Sequence, residues 1–263
     1  MINTVGAMGR LRNTYILFTS DNGFFYGEHR LTGGKFLAYE PSTHMPLLIR
    51  GPGIKPGSST GELTGNIDLA PTILELAGAK ADKSIDGRSL IPYLLDPSLR
   101  TRRPLLFESF VETNDVNAQG GQPLAGAGRP GTAARPKGSD EAGASIVAPP
   151  KDYIGIRLGP YKYIEWPNGE KELYDINKDP YELNNKVRDS NLFPIRAFLQ
   201  KELRRLAECN GRGCQETTPK LPLTRKQQLE IKREREKEQR EREKRRKERE
   251  EKQQQAAKPP QKQ

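Results

Sequence analysis

A central stretch with almost nothing to bury divides this 263-residue chain into two parts that can each build a core. Residues 112–150, which include GGQPLAGAGRPGTAARPKGSDEAGAS, are rich in Gly, Pro, Ala and charged residues. Burial of these few apolar side chains cannot offset the conformational entropy that the segment would lose on folding. We therefore predict a flexible insert over this range. The whole chain is only 33% hydrophobic and 30% charged, which also indicates that part of its length lies outside any core.

The segment before this insert, residues 1–111, has the pattern of an α/β fold. YILF at residues 15–18 and PLLIR at residues 46–50 predict two buried strands, because their apolar residues follow one another without polar alternation. NIDLAPTILELAGA at residues 66–79 carries the start and stop signals of a helix. The first residues, MINTVGAMGRLRN, have helical spacing and run straight into a strand. We therefore expect this segment to be the C-terminal part of a larger α/β core.

The segment after the insert, residues 151–215, predicts a small antiparallel sheet with one helix packed on it. DYIGIRLGPYKYIEWPNGEKELYDI at residues 152–176 alternates as three strands, with turns at Gly159-Pro160 and Asn168-Gly169. The following helix carries a single apolar stripe that we expect to cover this sheet. The stripe consists of Leu192, Ile195, Leu199, Leu203 and Leu206.

Residues 216–263 form a charged, low-complexity tail. Its run from residue 225 to residue 252 holds 14 Lys and Arg against 9 Glu, out of a net charge of +10 for the chain. No aromatic residue occurs in this run to stack on bases, so the charge favours contact with a polyanion over specific nucleic-acid recognition. Opposite charges recur at i, i+4 spacing, which predicts a solvated single helix; a disordered, solubilising extension is the alternative.

Neither a membrane span nor a signal peptide is indicated by the sequence. No run of about 18 apolar residues occurs. MINTVGAMGRLRN lacks the charged segment and apolar core of an export signal.

The two cysteines of the chain lie close together in CNGRGC, as Cys209 and Cys214. A zinc site would need further Cys or His nearby, and both histidines lie far upstream. The spacing around a Gly-rich turn favours a local disulfide, which fits an exported protein. Two free thiols in a reducing compartment are the alternative.

Polar residues that suit a catalytic site follow the first predicted strand. Asp21 and Asn22 end that strand, and their oxygens are the hard donors that Ca²⁺ or Mg²⁺ prefers, although Asp-Asn-Gly is also good turn material. Lys35 follows a pair of glycines, and a glycine loop can bring a lysine back over a metal-bound anion. His29 is a possible acid or base, whereas His44, just before the second strand, suits a structural role.

Five blocks of the sequence, taken in order, resemble the C-terminal half of the sulfatase family. They are YILFTSDNGFFYGEHRLTGGK, YEPSTHMPLLIRGPGI, NIDLAPTILELAG, DGRSLIPYL, and YKYIEW with ELYDINKDPYELNN. This family of sulfuric ester hydrolases belongs to the alkaline phosphatase superfamily, and the blocks are most similar to its N-acetylglucosamine-6-sulfatase and arylsulfatase branch.

The resemblance implies roles for the residues of the first block. Asp21 and Asn22 would be ligands of the active-site Ca²⁺, and Lys35 would contact the sulfate group of the substrate. His29 lies where some related enzymes carry a polar site residue, which makes it a catalytic candidate beside Lys35. The substrate implied is a sulfated sugar or an aryl sulfate, and the complete protein would be extracytoplasmic.

Two parts of the family pattern are missing from these residues, the N-terminal pair of aspartates that completes the Ca²⁺ site and the motif that supplies the nucleophile. Sulfatases oxidise the cysteine of a Cys-x-Pro-x-Arg motif to formylglycine, whose hydrate attacks sulfur, and neither cysteine here has that context. The resemblance therefore implies a sulfatase fragment that is inactive alone. The alternatives are a phosphodiesterase or phosphonate hydrolase of the same superfamily, whose members often carry Asp-His in place of Asp21-Asn22, or a non-catalytic binding protein that uses the basic tail.

Overall fold

A computed structural model describes residues 1–31, 33–110, 152–216 and 220–256 of the chain. The predicted flexible insert at residues 112–150 lies outside the described residues. The helices are α1 (Ile2–Ala7), α2 (Glu40–Thr43), α3 (Leu69–Leu76), α4 (Ile91–Leu95), α5 (Phe193–Glu208) and α6 (Arg225–Ala256). The strands are β1 (Ile16–Thr19), β2 (Leu47–Arg50), β3 (Leu105–Ser109), β4 (Tyr153–Leu158), β5 (Tyr161–Glu165) and β6 (Lys171–Asp175). The mixed helix and sheet composition agrees with the α/β class predicted from the sequence.

Strands β1 and β2 form a two-stranded antiparallel sheet at the start of the chain. Their register places Phe18 opposite Leu48. Both side chains are largely exposed, at 61% and 63%, so the prediction of two buried strands is wrong for these residues. Side chains of directly opposed residues point to the same side of an antiparallel pair, and a two-stranded sheet covers itself on neither face.

The C-terminal part of the structure is a four-stranded antiparallel sheet in the order β3-β4-β5-β6. Strands β4, β5 and β6 are the three predicted strands, and the turns between them contain Gly159 and Gly169, both with positive φ. The fourth strand, β3, comes from the segment before the insert and pairs with β4 from Leu105 opposite Arg157 to Ser109 opposite Tyr153. The sheet therefore joins the two sides of the insert.

Helix α5 packs on one face of this sheet through the predicted stripe. All five stripe residues, Leu192, Ile195, Leu199, Leu203 and Leu206, are buried. They contact the side chains of the sheet that point the same way, which are Ile156, Leu158, Tyr161, Tyr163 and Leu173. The predicted packing of one helix on a small sheet is confirmed.

The opposite face of the sheet packs against the loop that follows β1. Phe25, Leu37, Ala38 and Tyr39 of this loop form one core cluster with Tyr153, Ile164, Trp166, Tyr174 and Ile176 of the sheet region. The residues between β1 and α2 are thus held by the C-terminal sheet, although more than a hundred positions separate them in sequence. This contact positions the loop that carries the candidate site.

Helix α6 begins at Arg225 with a capping box. The Thr224 hydroxyl accepts a hydrogen bond from the Gln227 N–H (3.3 Å), and the Gln227 side chain accepts one from the Thr224 N–H (2.9 Å). The first turn also contacts the start of α5, because the Arg225 guanidinium lies 5.2 Å from the centre of the Phe193 ring. None of the helices in the described ranges is long and apolar enough to cross a bilayer.

Candidate active site

The turn after β1 holds Asp21 and Asn22 in a defined conformation. The Ser20 hydroxyl donates to the Asn22 carbonyl (2.9 Å) and lies 3.3 Å from Asp21 Oδ1. The Asn22 amide nitrogen donates to the Gly23 carbonyl (2.7 Å), which leaves Asn22 Oδ1 free to accept from another group. Asp21, in contrast, is exposed to solvent with only a fifth of its side chain covered.

Lys35 reaches back to both of these residues. Its Nζ donates to Asn22 Oδ1 at 2.8 Å and lies 3.7 Å from Asp21 Oδ2. Slight desolvation raises the pKa of Asp21, but hydrogen bonds to its carboxylate and the charge of Lys35 outweigh it and lower that pKa. The structure therefore brings together a carboxylate, an amide oxygen and an ammonium group, three residues that the sequence singled out separately.

Ser42 of α2 ties the two arms of this site together. Its carbonyl accepts from the Gly23 N–H (2.8 Å), and its buried hydroxyl donates to the Lys35 carbonyl. Gly23 approaches this point so closely that a Cβ on it would lie 2.0 Å from the Pro41 carbonyl oxygen. Ser42 was missed by the sequence analysis. The only local signal was the glycine that follows Asn22, since glycine permits close approach of two backbones.

His29 lies in the same loop but on its inner side. Its ring stacks on Tyr39, with centroids 4.1 Å apart, and meets Phe25 edge-on. Partial burial lowers the pKa of His29, and the charges of Asp179 and Glu28 oppose this shift without reversing it. Among the residues that the structure describes, no hydrogen bond or ion pair joins His29 to Asp21, Asn22 or Lys35, and its Nε2 is buried without a partner.

A buried ion-pair network fixes α2 to the C-terminal sheet. Lys162 of β5 is fully buried and contacts Glu40 Oε1 at 2.7 Å and Glu182 Oε1 at 2.8 Å. Arg157 adds a second cation at 3.2 Å from Glu40. Burial alone raises the pKa of Glu40, but Lys162 and Arg157 outweigh it and hold that pKa below its ordinary value. Loss of one partner would leave a buried charge uncompensated, so this network strongly favours one placement of α2.

His44, at the end of α2, lies outside this network's buried part. Its side chain is 76% exposed and its Nδ1 lies 3.5 Å from Glu40 Oε2. The structural role suggested by the sequence stays a prediction.

A second buried carboxylate, Glu172, anchors the loop from the sheet side. It accepts hydrogen bonds from the hydroxyls of Tyr39 and Tyr174 and from the indole N–H of Trp166. Burial raises the pKa of Glu172, while the three donors act in the opposite direction. The ring of Tyr39, on which His29 stacks, is therefore held at its hydroxyl end by the sheet.

Beside Lys35, the described structure offers two side chains with oxygen donors for a metal ion, Asp21 and Asn22. Carboxylate and amide oxygens suit a hard cation, so Asp21 and Asn22 fit Ca²⁺ in donor type, but Ca²⁺ takes about six to eight oxygens. Within the described ranges, no three His, Cys, Asp or Glu side chains converge as a metal cluster. Lys35 already places a cation beside both candidate oxygens.

Cys209 and Cys214 form a disulfide, with an S–S distance of 2.01 Å. The enclosed loop docks on residues 83–87, because the Gly211 N–H donates to Asp86 Oδ1 (2.5 Å) and the Gln215 side chain donates to the Ile85 and Gly87 carbonyls (2.9 Å each). It lies outside the contacts of the candidate site described above.

The chain is similar in sequence to known sulfatases. The family model described as Sulfatase matches residues 1–79. The chain is 33% identical over 228 residues to an arylsulfatase of Chlamydomonas reinhardtii. This match covers 81% of this chain and 33% of the relative. It is also 35% identical over 226 residues to an N-acetylglucosamine-6-sulfatase of Capra hircus. That match covers 81% of this chain and 38% of the relative. The chain thus spans about a third of the length of these curated relatives.

Solved structures share the fold. One protein, solved in complex with its substrate D-glucosamine-2-N,6-O-disulfate, is 28% identical, with a TM-score of 0.61 over 81% of this chain and 37% of that one. A phosphonate monoester hydrolase from Silicibacter pomeroyi is 26% identical, with a TM-score of 0.59 over 80% of this chain and 38% of that one. The alkaline-phosphatase-like fold expected from the sequence is confirmed by this likeness.

Proposed function

We propose, from the match of residues 1–79 to the sulfatase family, that the protein takes part in hydrolysis of sulfuric esters. The observation that carries the proposal is the convergence of Asp21, Asn22 and Lys35 at the end of β1. A sulfate ester carries negative charge on its oxygens, and more of that charge develops as the ester bond breaks. Lys35 offers a cation to that negative charge, and Asp21 and Asn22 offer oxygen donors to a metal ion that would do the same.

The substrate we propose is a sulfated sugar, with an aryl sulfate as the second possibility. N-acetylglucosamine-6-sulfatase and arylsulfatase are the names of the relatives compared above, and one structural neighbour was solved with a disulfated glucosamine. The sulfated sugar bound by that neighbour supports a substrate of the same class for this chain.

Lys35 would hold the sulfate group. Its side chain is 37% exposed, so it can meet a ligand, while its backbone is fixed by the Ser42 hydroxyl. A lysine that donates to developing charge is worth about 2.7–4 kcal/mol, which corresponds to a loss of about two to three orders of magnitude in rate when it is removed.

Asp21 and Asn22 would be the ligands that this chain contributes to a Ca²⁺ ion. When bound there, Ca²⁺ would disperse negative charge on the sulfate oxygens. Ca²⁺ bound at Asn22 Oδ1 would repel the ammonium group of Lys35, which lies 2.8 Å from the same oxygen, so we expect Lys35 to move away when the metal binds. Lys35 would then be free to donate to the sulfate instead.

His29 remains a candidate acid or base. Its lowered pKa keeps the ring neutral at pH 7, the form that accepts a proton. Its buried, unpartnered Nε2 is the atom that would do so. Since the ring stacks on Tyr39, a change in the position of this loop would be needed to bring it to the substrate.

We also propose that the 263-residue chain is inactive alone. The sequence contains no Cys-x-Pro-x-Arg motif, and both of its cysteines are in the disulfide. The formylglycine that supplies the nucleophile in this family would therefore have to come from residues outside this chain.

The test compares the chain alone with an assembled protein. We expect the purified chain to hydrolyse a chromogenic aryl sulfate only at background rate. Co-expression with the formylglycine-bearing segment of a sulfatase relative should give turnover. In that assembly Lys35→Ala should lower kcat/KM by about 100- to 1000-fold, whereas the exposed Lys55→Ala, a matched lysine of the same segment, should leave it unchanged. Robust turnover by the chain alone would contradict the proposed inactivity, and equal effects of the two lysine variants would contradict the site.

A phosphonate or phosphodiester hydrolase is the second candidate function. The likeness to a phosphonate monoester hydrolase favours it, whereas Asn22, where such enzymes often carry His, favours sulfate. The same assembled protein should therefore prefer an aryl sulfate to an aryl phosphonate. A reversed preference would establish the second candidate.

The tail suggests a binding function besides hydrolysis. Residues 225–252 carry an excess of Lys and Arg over Glu, and we propose that they contact a polyanion. A chain that ends at Leu223 should elute from a sulfated-polysaccharide column at lower salt than the full chain. Equal retention at low salt would contradict the contact, which would also remove the non-catalytic binding alternative.

We propose an extracytoplasmic location, where a disulfide such as Cys209–Cys214 persists. Mass spectrometry of protein from its native host should find both thiols blocked. Two free thiols would favour a reducing compartment.

A further inference from the structure

Helix α6 contains a seven-residue charge repeat. Residues 233–239 read REREKEQ, residues 240–246 read REREKRR, and residues 247–253 read KEREEKQ. Seven residues at 100° each come to within about 20° of two full turns, so a position repeated every seven residues stays on one side of the helix. The repeat therefore sorts the charges of α6 by face.

Four basic residues share one side of α6, which we call the basic face. They are Lys226, Arg233, Lys237 and Arg240, at spacings i, i+7, i+11 and i+14, and all four are exposed. At about 1.5 Å per residue they extend over about 21 Å of the helix. Glu230, Glu234, Glu238 and Glu241 line an adjoining side at i, i+4, i+8 and i+11.

The charges of the basic face are largely uncompensated within the helix. Lys226 lies 4.0 Å from Glu230, whereas the ion pair of Lys232 with Glu236, at 3.9 Å, involves no residue of the basic face. Arg233, Lys237 and Arg240 make no ion pair within 4.0 Å with any residue that the structure describes. Their charge is thus available to a ligand.

Two other arginines of the repeat provide a comparison. Arg235 and Arg242 occupy the third position of consecutive repeats and lie about 180° around the helix from Arg233 and Arg240. They are equally exposed and belong to the same REREK sequence. A ligand attracted by net charge alone would use both pairs of arginines equally, whereas a ligand that lies along the basic face would use only one pair.

We infer that the basic face of α6 binds a linear sulfated polysaccharide laid along the helix. This inference rests on the proposed polyanion contact and specifies its site and ligand. A straight row of cations over about 21 Å matches an extended polymer with charges along its length, and α6 has no aromatic residue with which to stack nucleic-acid bases. The sulfate groups of such a polymer are also the groups on which the proposed hydrolysis acts, so binding would raise their concentration near the protein.

Anchoring of the first turn supports a fixed rather than a freely flexible binding element. Besides the capping box, the Lys226 N–H donates to Asn191 Oδ1 (2.7 Å), and the guanidinium groups of Arg196 and Arg225 lie 5.0 Å and 5.2 Å from the centre of the Phe193 ring. A helix held at its start and exposed beyond it presents the basic face to a polymer without loss of backbone entropy on binding.

The experiment measures Kd for a heparin-derived dodecasaccharide at low salt with four full-length proteins. These are the unchanged chain, Arg233→Gln/Arg240→Gln, Arg235→Gln/Arg242→Gln, and the fourfold variant. Gln has a helix propensity close to that of Arg, and circular dichroism checks that each protein keeps α6. We expect the first double variant to weaken binding by about tenfold and the second by about twofold or less.

Each other result overturns a defined part of the inference. Equal weakening by the two double variants would leave a polyanion contact but exclude the basic face as its site. An unchanged Kd for the fourfold variant would exclude both the contact and the face. Tighter binding of a single-stranded DNA of equal charge, lost with Arg233→Gln/Arg240→Gln, would keep the face but exclude a polysaccharide as its ligand.

Discussion

At the scale of single residues, Gly23 is where the two arms of the candidate site come closest. A Cβ at this position would lie 2.0 Å from the Pro41 carbonyl oxygen, which is backbone and cannot rotate away. We expect Gly23→Ala to lower the free energy of unfolding by about 1–3 kcal/mol. Chemical denaturation measures this, with Gly61→Ala as the control, since its Cβ would meet its nearest atom at an ordinary 3.5 Å. A Gly23→Ala protein as stable as the control would contradict the close approach.

Glu172 gives a pH-dependent prediction. Burial raises its pKa above the ordinary 4.5, so the folded protein binds more protons than the unfolded chain between that value and the raised one. Stability should therefore fall as the pH rises through this window and be regained at lower pH. In Glu172→Gln this contribution disappears, so as the pH rises through this window its Tm should fall less, or rise more, than that of the unchanged protein.

The control for Glu172 is Glu208→Gln, at the exposed end of α5. Burial also raises the pKa of Glu182, and its effect on the pH dependence of stability is the same in all of these proteins. Only the difference between the curves of Tm against pH is therefore compared. Parallel curves for Glu172→Gln and the unchanged protein would show that the buried carboxylate is not the source.

Local sequence predicted the site residues that contact one another within a single segment. It did not predict the residues whose contacts join distant segments. Asp21, Asn22 and Lys35 lie within one stretch, and a strand end and a glycine pair were enough to single them out. Glu172 meets Tyr39 across 133 positions, and no periodicity or motif encodes such a contact. Ser42 is similar, because its importance depends on where Gly23 and Lys35 come to lie.

At the scale of elements, α6 should depend on its cap and its charge pairs. A peptide of residues 223–252 keeps the capping box of Thr224 and Gln227, and we expect it to be helical at low salt and low temperature. Thr224→Ala should lower its helicity, since loss of such a cap costs about 1 kcal/mol. Added salt should lower it further, because pairs at i, i+4 are screened. Circular dichroism provides the measurement, and a random-coil spectrum under all conditions would contradict an autonomous helix.

Elements with a strong period were predictable, whereas short apolar runs were not. The α5 stripe was predicted residue by residue because a 3.6-residue period leaves one face for burial. Strand β3, LLFES, is too short to show a period, and its partner β4 lies beyond the insert. The exposure of Phe18 and Leu48 was not predicted, because consecutive apolar residues indicate a strand that is covered on both faces. The described part of this chain does not cover these two side chains.

At the scale of the whole molecule, the disulfide loop connects the described parts of the chain on either side of the insert. Gly211 lies so close to the Lys83 carbonyl that a Cβ would be 2.1 Å from it, and its N–H donates to Asp86. The disulfide thus stabilises not only its own loop but also the docking of the C-terminal part on the segment before α4. No sequence pattern linked these two regions, because neither the glycine nor the aspartate indicates its partner.

Reduction of Cys209–Cys214 should therefore affect the molecule beyond the loop. The chain-entropy estimate for so short a loop gives about 2 kcal/mol, and we expect Cys209→Ser/Cys214→Ser to lower the free energy of unfolding by about that much. Asp86→Asn should cost less in this double variant than in the unchanged protein, because an unconstrained loop no longer holds the Gly211 N–H against Asp86. Denaturation of the four proteins of this cycle measures the coupling. Trypsin gives an independent readout, since Arg212 lies exposed inside the loop and should be cleaved faster once the loop undocks. Strictly additive costs together with an unchanged cleavage rate would mean that the docking does not depend on the disulfide.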